Sequence, residues 1–358
     1  MIRFTWLQFR LQVMIAAAAA VAVAIVLAVT GPHLAHLYDT NVATCAAQND
    51  CDSVTRAFLL NDQFLQSMLN PIVLLIPALI GIFWGAPLIA REVETGTYRL
   101  AWTQSVSRSR WLLVKLGVAG LASMVVAGLF SLMVTWWSSP FDSINQNRFT
   151  PLMFSVRGLA PIGYAAFAFA LGITAGVLIR RILPAMALTL VIFVGVRLII
   201  MLWVRPYFVA PLHTTVPDTQ IGGGPAGKIA PGTNNVLPGD WVISDQTLNA
   251  AGQVIGQQGL IGSGGMRVAI GANGVTIGNL SCPNLKLQGS PAGTGSGPNP
   301  AAQALVQQCV TQLGLKETLT YQPAGRYWAF QGYETGLFLA LSLILSGSCF
   351  WLIRRRLA

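Results

Sequence analysis

Six stretches of the chain carry about 20 or more mostly apolar residues each, separated by charged or proline-containing segments. They cover approximately residues 11–30, 71–90, 112–137, 159–179, 183–203 and 333–353. About 20 apolar residues cross a hydrocarbon core of about 30 Å as a helix, and backbone amides in lipid must bond within their own segment. The pattern therefore predicts an α-helical integral membrane protein with six transmembrane helices. The first stretch exceeds the roughly 7–15-residue core of a secretory signal, so we expect a retained anchor.

The composition agrees with a lipid environment, because 54% of the residues are hydrophobic and only 9% are charged, against about 25% in soluble domains. Lys and Arg favour the cytoplasmic ends of spans. A cytoplasmic N-terminus puts twelve of them inside and three on the two short outer loops. We therefore expect both termini in the cytoplasm and a multi-pass protein of the plasma membrane. The net charge of +10 then reports topology, and no nucleic-acid partner is expected, because the basic residues lie at membrane boundaries.

Four cysteines fall in predicted outer segments: Cys45 and Cys51 in the first loop, and Cys282 and Cys309 in the long fifth-to-sixth connection. Disulfides persist in oxidising compartments. Of the three possible pairings we expect the local ones, Cys45–Cys51 and Cys282–Cys309. Four free thiols remain the alternative.

The spans divide the chain into a transmembrane domain over 1–203, an extracytoplasmic insertion over 204–331, and a sixth span with a basic cytoplasmic tail over 332–358. The insertion is too long for a plain connection and is rich in Gly, Pro, Asn, Gln and Thr. We expect it to form a small α+β subdomain.

Within the insertion, the runs DWVIS and RVAIGANGVTIGNL alternate as strands do, with a hairpin turn at residues 272–274. The run AAQALVQQCVTQLGL has helical periodicity and carries Cys309. The stretches 220–235 and 289–300 resemble flexible loops.

Catalytic patterns are weak. The run GGGPAGK at 222–228 fits the spacing of a phosphate-binding loop, but Ile229 follows where that motif needs Ser or Thr. No catalytic triad, paired-carboxylate or zinc-protease pattern stands out. We therefore expect no enzymatic activity, no cofactor and no metal in this chain.

Two features inside the spans have open interpretations. The pairs Gly81-x-x-x-Gly85 and Gly172-x-x-x-Gly176 allow close helix contact, either within the chain or between copies. Arg197 lies inside the fifth span, where a charge is costly. It could extend outward to the interface or line a substrate path, with Glu334 as a partner.

The charged residues concentrate in GAPLIAREVETGTYRLAWTQSVSRSRWLLVK, residues 85–115, between the second and third spans. Glu92 and Glu94 are the only acidic residues that the predicted topology puts in the cytoplasm. Mixed charges around aromatic residues are typical of protein recognition sites, so we interpret the segment as a docking element. A positive-inside flank with incidental acids is the alternative.

This segment resembles the R-E-x-x-x-G-T-x-R-L-x-x-T-x-x-x-x-R signature of permease subunits of type-2 ATP-binding cassette (ABC) exporters, especially actinobacterial ones. The start MIRFTWLQFRLQ, the run GLAPIGYAAFAFALGITAGVLIRR and the end YETGLFLALSLILSGSCFWLIRRRLA also resemble that group. The resemblance implies six spans, a separate cytoplasmic ATPase subunit as partner, and a second permease copy, with membrane lipid around them.

The resemblance also implies that the segment of about residues 91–110 couples to the ATPase, and that the N-terminal stretch is an interfacial elbow helix. The implied coupling residues are Arg91, Glu92, Glu94, Gly96, Thr97, Arg99, Trp102 and Arg108. The expected function is export of a hydrophobic or amphipathic substrate, driven by ATP hydrolysis on the partner. The alternative is a membrane-anchored extracytoplasmic binding or sensory protein without transport activity.

Overall fold

A computed structural model describes most of the chain. The described residues are 2–43, 52–94, 108–145, 148–217, 222–223, 228–230, 239–259, 266–271, 274–277, 279–285 and 300–356. The chain forms two compact units, the helical unit of Met1–Arg205 with Tyr327–Ala358 and the sheet unit of Pro206–Arg326.

The helices are, in chain order, α1 (Ile2–Leu37), α2 (Asp52–Leu79), α3 (Ala86–Glu94), α4 (Arg108–Trp137), α5 (Ser139–Asn145), α6 (Pro151–Val156), α7 (Ala160–Ile179), α8 (Ile182–Ile199), α9 (Pro300–Leu313) and α10 (Tyr327–Arg356). Segments of π-helix extend α1, α2 and α8 at Tyr38–Ala43, Ile80–Gly85 and Ile200–Val204. Short 3-10 turns lie at Arg205–Tyr207 and Ala324–Arg326. Of these helices, α9 belongs to the sheet unit.

Six helical stretches of the described residues are long and apolar enough to cross a membrane, which confirms the predicted span number. They are Arg10–Thr40, Ser67–Glu92, Leu113–Trp137, Ala160–Ile179, Ile182–Tyr207 and Ala324–Arg354. The fifth span continues beyond its predicted end at residue 203, and the sixth begins before its predicted start at residue 333. Hydropathy drops at Arg205 and Gln331, but both side chains are hydrogen-bonded inside the helical unit, so the helices continue past them. The cytoplasmic location of the termini stays a prediction.

α1 runs without a break from Ile2 to Leu37. The N-terminal stretch therefore continues the first spanning helix, whereas the resemblance implied a separate elbow helix. Its side chains up to residue 9 lie outside the described part.

α7 is the central helix of the helical unit, and it packs against α2, α3, α4, α8 and α10. Its apolar residues Ala165, Phe169 and Ile173 join one core with Ile80, Trp84 and other residues from the second, third and sixth spans. A helix that is apolar all round lies in a protein core or in a membrane, and most of α7 is covered by its neighbouring helices.

The glycine pairs pack against each other within the chain, which settles the question left open by the sequence. A Cβ atom added at Gly172 would lie 2.4 Å from the carbonyl oxygen of Gly81, and one at Gly85 would lie 3.2 Å from the Cα of Gly172. Likewise, a Cβ at Gly176 would lie 2.8 Å from the Ala86 oxygen. Only hydrogen atoms fit at this contact, so the second and fourth spans meet backbone to backbone.

Gln331 of α10 closes the start of α7. Its Oε1 accepts hydrogen bonds from the backbone amides of Leu159 and Ala160, at 3.0 and 2.8 Å, and its Nε2 donates to the Phe154 carbonyl at 3.1 Å. The first amides of a helix have no partner within it. The last span therefore supplies the cap that the buried N-terminus of α7 needs.

The sheet unit contains two antiparallel sheets. The strands are β1 (Leu212–Pro217), β2 (Gly222–Gly223), β3 (Lys228–Ala230), β4 (Trp241–Leu248), β5 (Val254–Gly259), β6 (Met266–Gly271), β7 (Gly274–Ile277), β8 (Leu280–Cys282) and β9 (Lys316–Gln322). One sheet has the order β1-β9-β4-β5 and the other β2-β3-β6-β7-β8.

The predicted elements of the insertion are largely confirmed. The DWVIS run lies at β4, β6 and β7 pair with Gly271 opposite Gly274, and the predicted helix is α9. α9 packs on β7 and β8 through Val306, Val310 and Val275.

The prediction of a flexible loop over 220–235 was wrong in part, because β2 and β3 pair there as antiparallel strands. Backbone pairing needs little from side chains, so a stretch rich in Gly and Pro can still contribute short strands. Residues 289–299 lie outside the described part.

A disulfide joins Cys282 to Cys309, with a Cα–Cα distance of 5.7 Å, as predicted. It ties β8 to α9 beside their shared apolar contact. Cys45 and Cys51 lie outside the described residues, so their pairing stays a prediction. Cys349 is a buried free thiol in α10.

Candidate functional site

The described parts of the charged segment are α3 and the first turns of α4, which enter it from its two ends. α3 buries Ile89 and Ala90 completely and exposes Arg91 and Glu94. Its amphipathic pattern explains this arrangement, since residues three and four apart share a face. Arg91 and Glu94 therefore lie at the surface of the helical unit.

Glu92 has a different environment, because its side chain turns inward and forms an ion pair with the ammonium group of Lys115 on α4. Glu92 is 9% exposed and Lys115 is 1% exposed. The Lys115 Nζ also lies 4.7 Å from the ring centre of Trp111, itself buried, which adds a cation–π contact. This buried cluster of Glu92, Lys115 and Trp111 holds α3 and α4 together where they enter the charged segment.

Glu94 connects the same end of α3 to α8. Its Oε2 accepts a hydrogen bond from the backbone amide of Ile182 at 3.3 Å. Ile182 is the first residue of α8, and a carboxylate is favourable beside a helix N-terminus. The described end of the segment therefore contacts both the third and the fifth span.

The remaining predicted coupling residues lie at or beyond the limits of the described residues. Gly96, Thr97, Arg99 and Trp102 lie outside the described residues, and Arg108 is described only as the first residue of α4. Their coupling role stays a prediction.

A second candidate site lies inside the helical unit, where Arg205 and Glu334 form a buried ion pair. The Arg205 Nε and Nη2 donate to the two carboxylate oxygens of Glu334 at 2.6 and 2.7 Å. The Tyr164 hydroxyl donates to the same carboxylate. Arg205 is 0% exposed and Glu334 is 1% exposed. A two-pronged contact of this kind is the strongest geometry available to an arginine.

Arg205 uses its remaining donors on α6. Its Nη1 donates to the Pro151 carbonyl at 3.3 Å and its Nη2 to the Ser155 hydroxyl at 3.1 Å, while the guanidinium stacks 4.3 Å from the Phe154 ring centre. The pair thus joins α6, α7 and α10 to the end of the fifth span. One charge of each sign is neutralised within it.

Arg197 is the other cation of this buried arginine cluster, which we define as Arg197, Arg205, Tyr164 and Glu334. Its guanidinium lies 4.2 Å from the Tyr164 ring centre. It donates to the carbonyls of Leu74 at 3.3 Å and Ser155 at 3.5 Å. Arg197 is 8% exposed, so it does not extend outward to the membrane interface, the alternative that the sequence left open.

The partner expected for Arg197 was wrong, because Glu334 binds Arg205 instead. The sequence did not predict a role for Arg205, because the predicted fifth span stops at residue 203 and leaves Arg205 outside it. Arg197 and Arg205 stand eight residues apart on one continuous helical stretch, and this spacing of about two turns was the signal available. Tyr164 offered no comparable signal, since aromatic residues are common in apolar spans.

A family profile described as ABC-2 membrane transporter related matches residues 3–205, which include the first four spans, nearly all of the fifth, and the charged segment. A comparison with curated proteins and with solved structures found no significant match.

Proposed function

Because the chain belongs to the ABC-2 membrane transporter related family, we propose that it is the permease subunit of an ABC exporter. A separate cytoplasmic ATPase subunit would supply the energy, and this chain would carry the substrate path. Catalysis of ATP hydrolysis would then belong to the partner. The observation that carries the proposal is the charged segment between the second and third spans, within the matched region.

The construction of that segment supports a coupling role. Arg91 and Glu94 are exposed on one face of α3, whereas Glu92 on the same helix is paired inward with Lys115. In this proposal the exposed side chains of Arg91 and Glu94 contact the ATPase. Glu92 acts as a positioning residue through Lys115.

The same contacts give a route for movement. A partner that displaces α3 would also displace α4 through Lys115 and α8 through the Glu94–Ile182 hydrogen bond. Packed helices shift as rigid elements. Closure of two ATPase subunits would therefore reach the third and fifth spans, and the path would alternate between inward and outward exposure.

Copurification tests the docking step. We expect the chain, expressed with the ATPase subunit from its own genome, to retain that subunit through purification and to stimulate its ATP hydrolysis. The variant Arg91→Glu with Glu94→Lys should lose at least about tenfold of the retained ATPase. The matched control Arg354→Glu changes an exposed arginine of α10 outside the segment and should retain it. Full retention in the double variant argues against docking through α3.

Cysteine labelling tests the topology. In a background with Cys45→Ser, Cys51→Ser and Cys349→Ala, the variant Gly96→Cys should resist a membrane-impermeant maleimide in intact cells and react after permeabilisation. Labelling from outside contradicts the cytoplasmic location of the segment, and with it the proposed coupling. The proposed location of the complex is the plasma membrane.

The proposal includes a second permease copy, because each of the two ATPase subunits needs a permease subunit on which to dock. We propose that the two copies form a homodimer embedded in membrane lipid. The cargo is proposed to be hydrophobic or amphipathic. If the chain binds no ATPase subunit and no ATP hydrolysis accompanies it, the alternative of a membrane-anchored binding or sensory protein is favoured. The separate sheet unit is the observation that supports this alternative.

A further inference from the structure

The buried arginine cluster does not balance its charge. Arg205 and Glu334 neutralise each other through two hydrogen bonds, and the Tyr164 hydroxyl is neutral while it donates to Glu334. Arg197 adds one further positive charge. Among the residues that the structure describes, no carboxylate lies within 4.0 Å of its guanidinium. The cluster therefore carries a net charge of +1.

Neutral groups hold Arg197 in place. The Leu74 and Ser155 carbonyls accept from it at 3.3 and 3.5 Å, and the Tyr164 ring lies beneath it. These contacts are longer than the usual 2.7–2.9 Å of charge-assisted hydrogen bonds. They orient the guanidinium without neutralising it, and an arginine fork of this kind matches carboxylate and phosphate oxygens.

Arg197 is also the least buried member of the cluster. It is 8% exposed, whereas Arg205, Glu334 and Tyr164 are 0–1% exposed. It lies within a spanning stretch, Ile182–Tyr207, where an uncompensated charge is costly and where ionisable residues mark substrate pathways. An anionic ligand that reached this edge would remove the imbalance.

We infer that Arg197 binds the anionic group, a carboxylate or a phosphate, of an amphipathic ligand within the helical unit. The inference rests on the proposed function in naming that ligand the exported substrate, and it adds that the substrate is acidic. Arg205 and Glu334 hold the site in shape, and the Tyr164 ring positions the Arg197 guanidinium. A membrane phospholipid offers the same chemistry and is the second source that the experiment separates.

The test compares two probes that differ only in charge. A dodecanoic acid with a terminal fluorophore and its primary amide are titrated, at a pH where the acid is ionised, into the purified chain in nanodiscs of phosphatidylcholine. We expect the wild type to bind the acid at least about tenfold more tightly than the amide. Arg197→Gln should abolish this preference and Arg197→Lys should keep part of it. The matched control Arg10→Gln, at an exposed arginine of α1, should keep all of it.

The amide probe also serves as the control for folding. If Arg197→Gln is folded, it should bind the amide with the same affinity as the wild type. Equal binding of acid and amide to the wild type overturns the inference. So does an unchanged preference in Arg197→Gln. If Arg197→Gln fails to fold, the wild-type comparison still decides.

Nanodiscs with one third phosphatidylglycerol separate the two ligand sources. For a substrate site we expect the acid preference to persist there, and in the ATPase complex the acid should stimulate ATP hydrolysis more than the amide. Loss of the preference in these nanodiscs, with phosphatidylglycerol retained by the wild type but not by Arg197→Gln in native mass spectrometry, assigns the site to lipid and overturns the substrate part. Probe binding needs no ATPase, so its outcome stays distinguishable from failure of the permease proposal.

Discussion

At the scale of single residues, two of the buried ion pairs described in the helical unit have different surroundings. Arg205 and Glu334 meet through two hydrogen bonds, and further donors and acceptors surround them. Glu92 and Lys115 meet through one contact, with the Trp111 ring beside them. A buried pair adds little net stability, but removal of one partner leaves an uncompensated charge. Each pair therefore constrains geometry more than it stabilises the fold.

The Glu92–Lys115 pair gives the first prediction. Glu92→Gln should lower the free energy of unfolding by about 3–5 kcal/mol, because Lys115 would remain buried without a counterion. The double variant Glu92→Gln with Lys115→Met should recover most of this loss. Thermal unfolding of the purified chain in detergent measures both. A single variant as stable as the wild type would contradict a buried pair.

Asp245 gives a prediction about pH in the sheet unit. It lies on the buried face of β4, and Glu317, fully buried on β9, is its diagonal neighbour. Burial raises the pKa of the Asp245 carboxyl above its ordinary value of 3.8, and its interaction with Glu317 offsets part of this rise.

Because the folded-state pKa is the higher one, the protonated carboxyl favours the folded state. This stability is fully present below pH 3.8 and is lost as the pH rises through the raised pKa. Asp245→Asn should therefore slow hydrogen exchange of β4 and β9 at pH 7 relative to the wild type, with a smaller difference near pH 4. Mass spectrometry of the full chain in nanodiscs measures it. Gln246→Ala, on the opposite face of β4, is the control, and equal exchange in Asp245→Asn and wild type at pH 7 would contradict the argument.

Sequence patterns located the residues that determine element type and missed those that depend on contacts across the fold. Hydropathy identified the spans because lipid imposes one rule on every exposed position. The sequence shows Glu92 as an acidic residue in a basic segment, but its partner Lys115 is 23 positions away, and only the packing of α3 against α4 makes that pair visible. The same holds for Arg205 with Glu334, which come from the fifth and sixth spans.

At the scale of elements, α7 and the second span meet backbone to backbone. Four carbonyl oxygens, those of Gly81, Phe169, Ala86 and Ala168, would lie 2.4–2.8 Å from Cβ atoms added at the facing glycines. Both partners are backbone, so neither can move aside as a side chain would. The π-helical segment Ile80–Gly85 forms one side of this contact.

Gly172→Ala should lower the free energy of unfolding by about 1–3 kcal/mol, the usual cost of adding an atom group to a well-packed core. Gly195→Ala is the matched control, because a Cβ there meets no atom within 4 Å, and it should leave stability unchanged or raise it slightly through helix propensity. Thermal unfolding in detergent compares the two. Equal midpoints for both variants would show that the helices do not meet at this distance.

At the scale of the whole molecule, the chain combines a lipid-facing helical unit with a sheet unit of different composition. The sheet unit is closed by the Cys282–Cys309 disulfide across a separation of 27 residues. Cross-linking a loop of this length stabilises a domain by roughly 3–4 kcal/mol, mainly by restricting the unfolded chain. The bond also requires an oxidising compartment, which agrees with the proposed outer location.

The disulfide prediction is that Cys282→Ser with Cys309→Ser makes residues 206–326 cleavable by trypsin at concentrations that leave the wild type intact. The spanning helices should stay protected by the nanodisc in both. Wild type treated with reductant should behave like the double variant. Identical digestion of wild type and variant would mean that α9 and β8 hold together without the bond.

The order in which the polar contacts form has a consequence for biogenesis. Gln331 and Glu334 belong to α10, which leaves the ribosome after α7 and Arg205, yet they bind the first amides of α7 and the guanidinium of Arg205. Until α10 inserts, the nascent protein holds these amides and this guanidinium in the bilayer without the partners that α10 supplies. A chain truncated before residue 327 would keep them in that state, and such exposed polarity would mark it for membrane proteases.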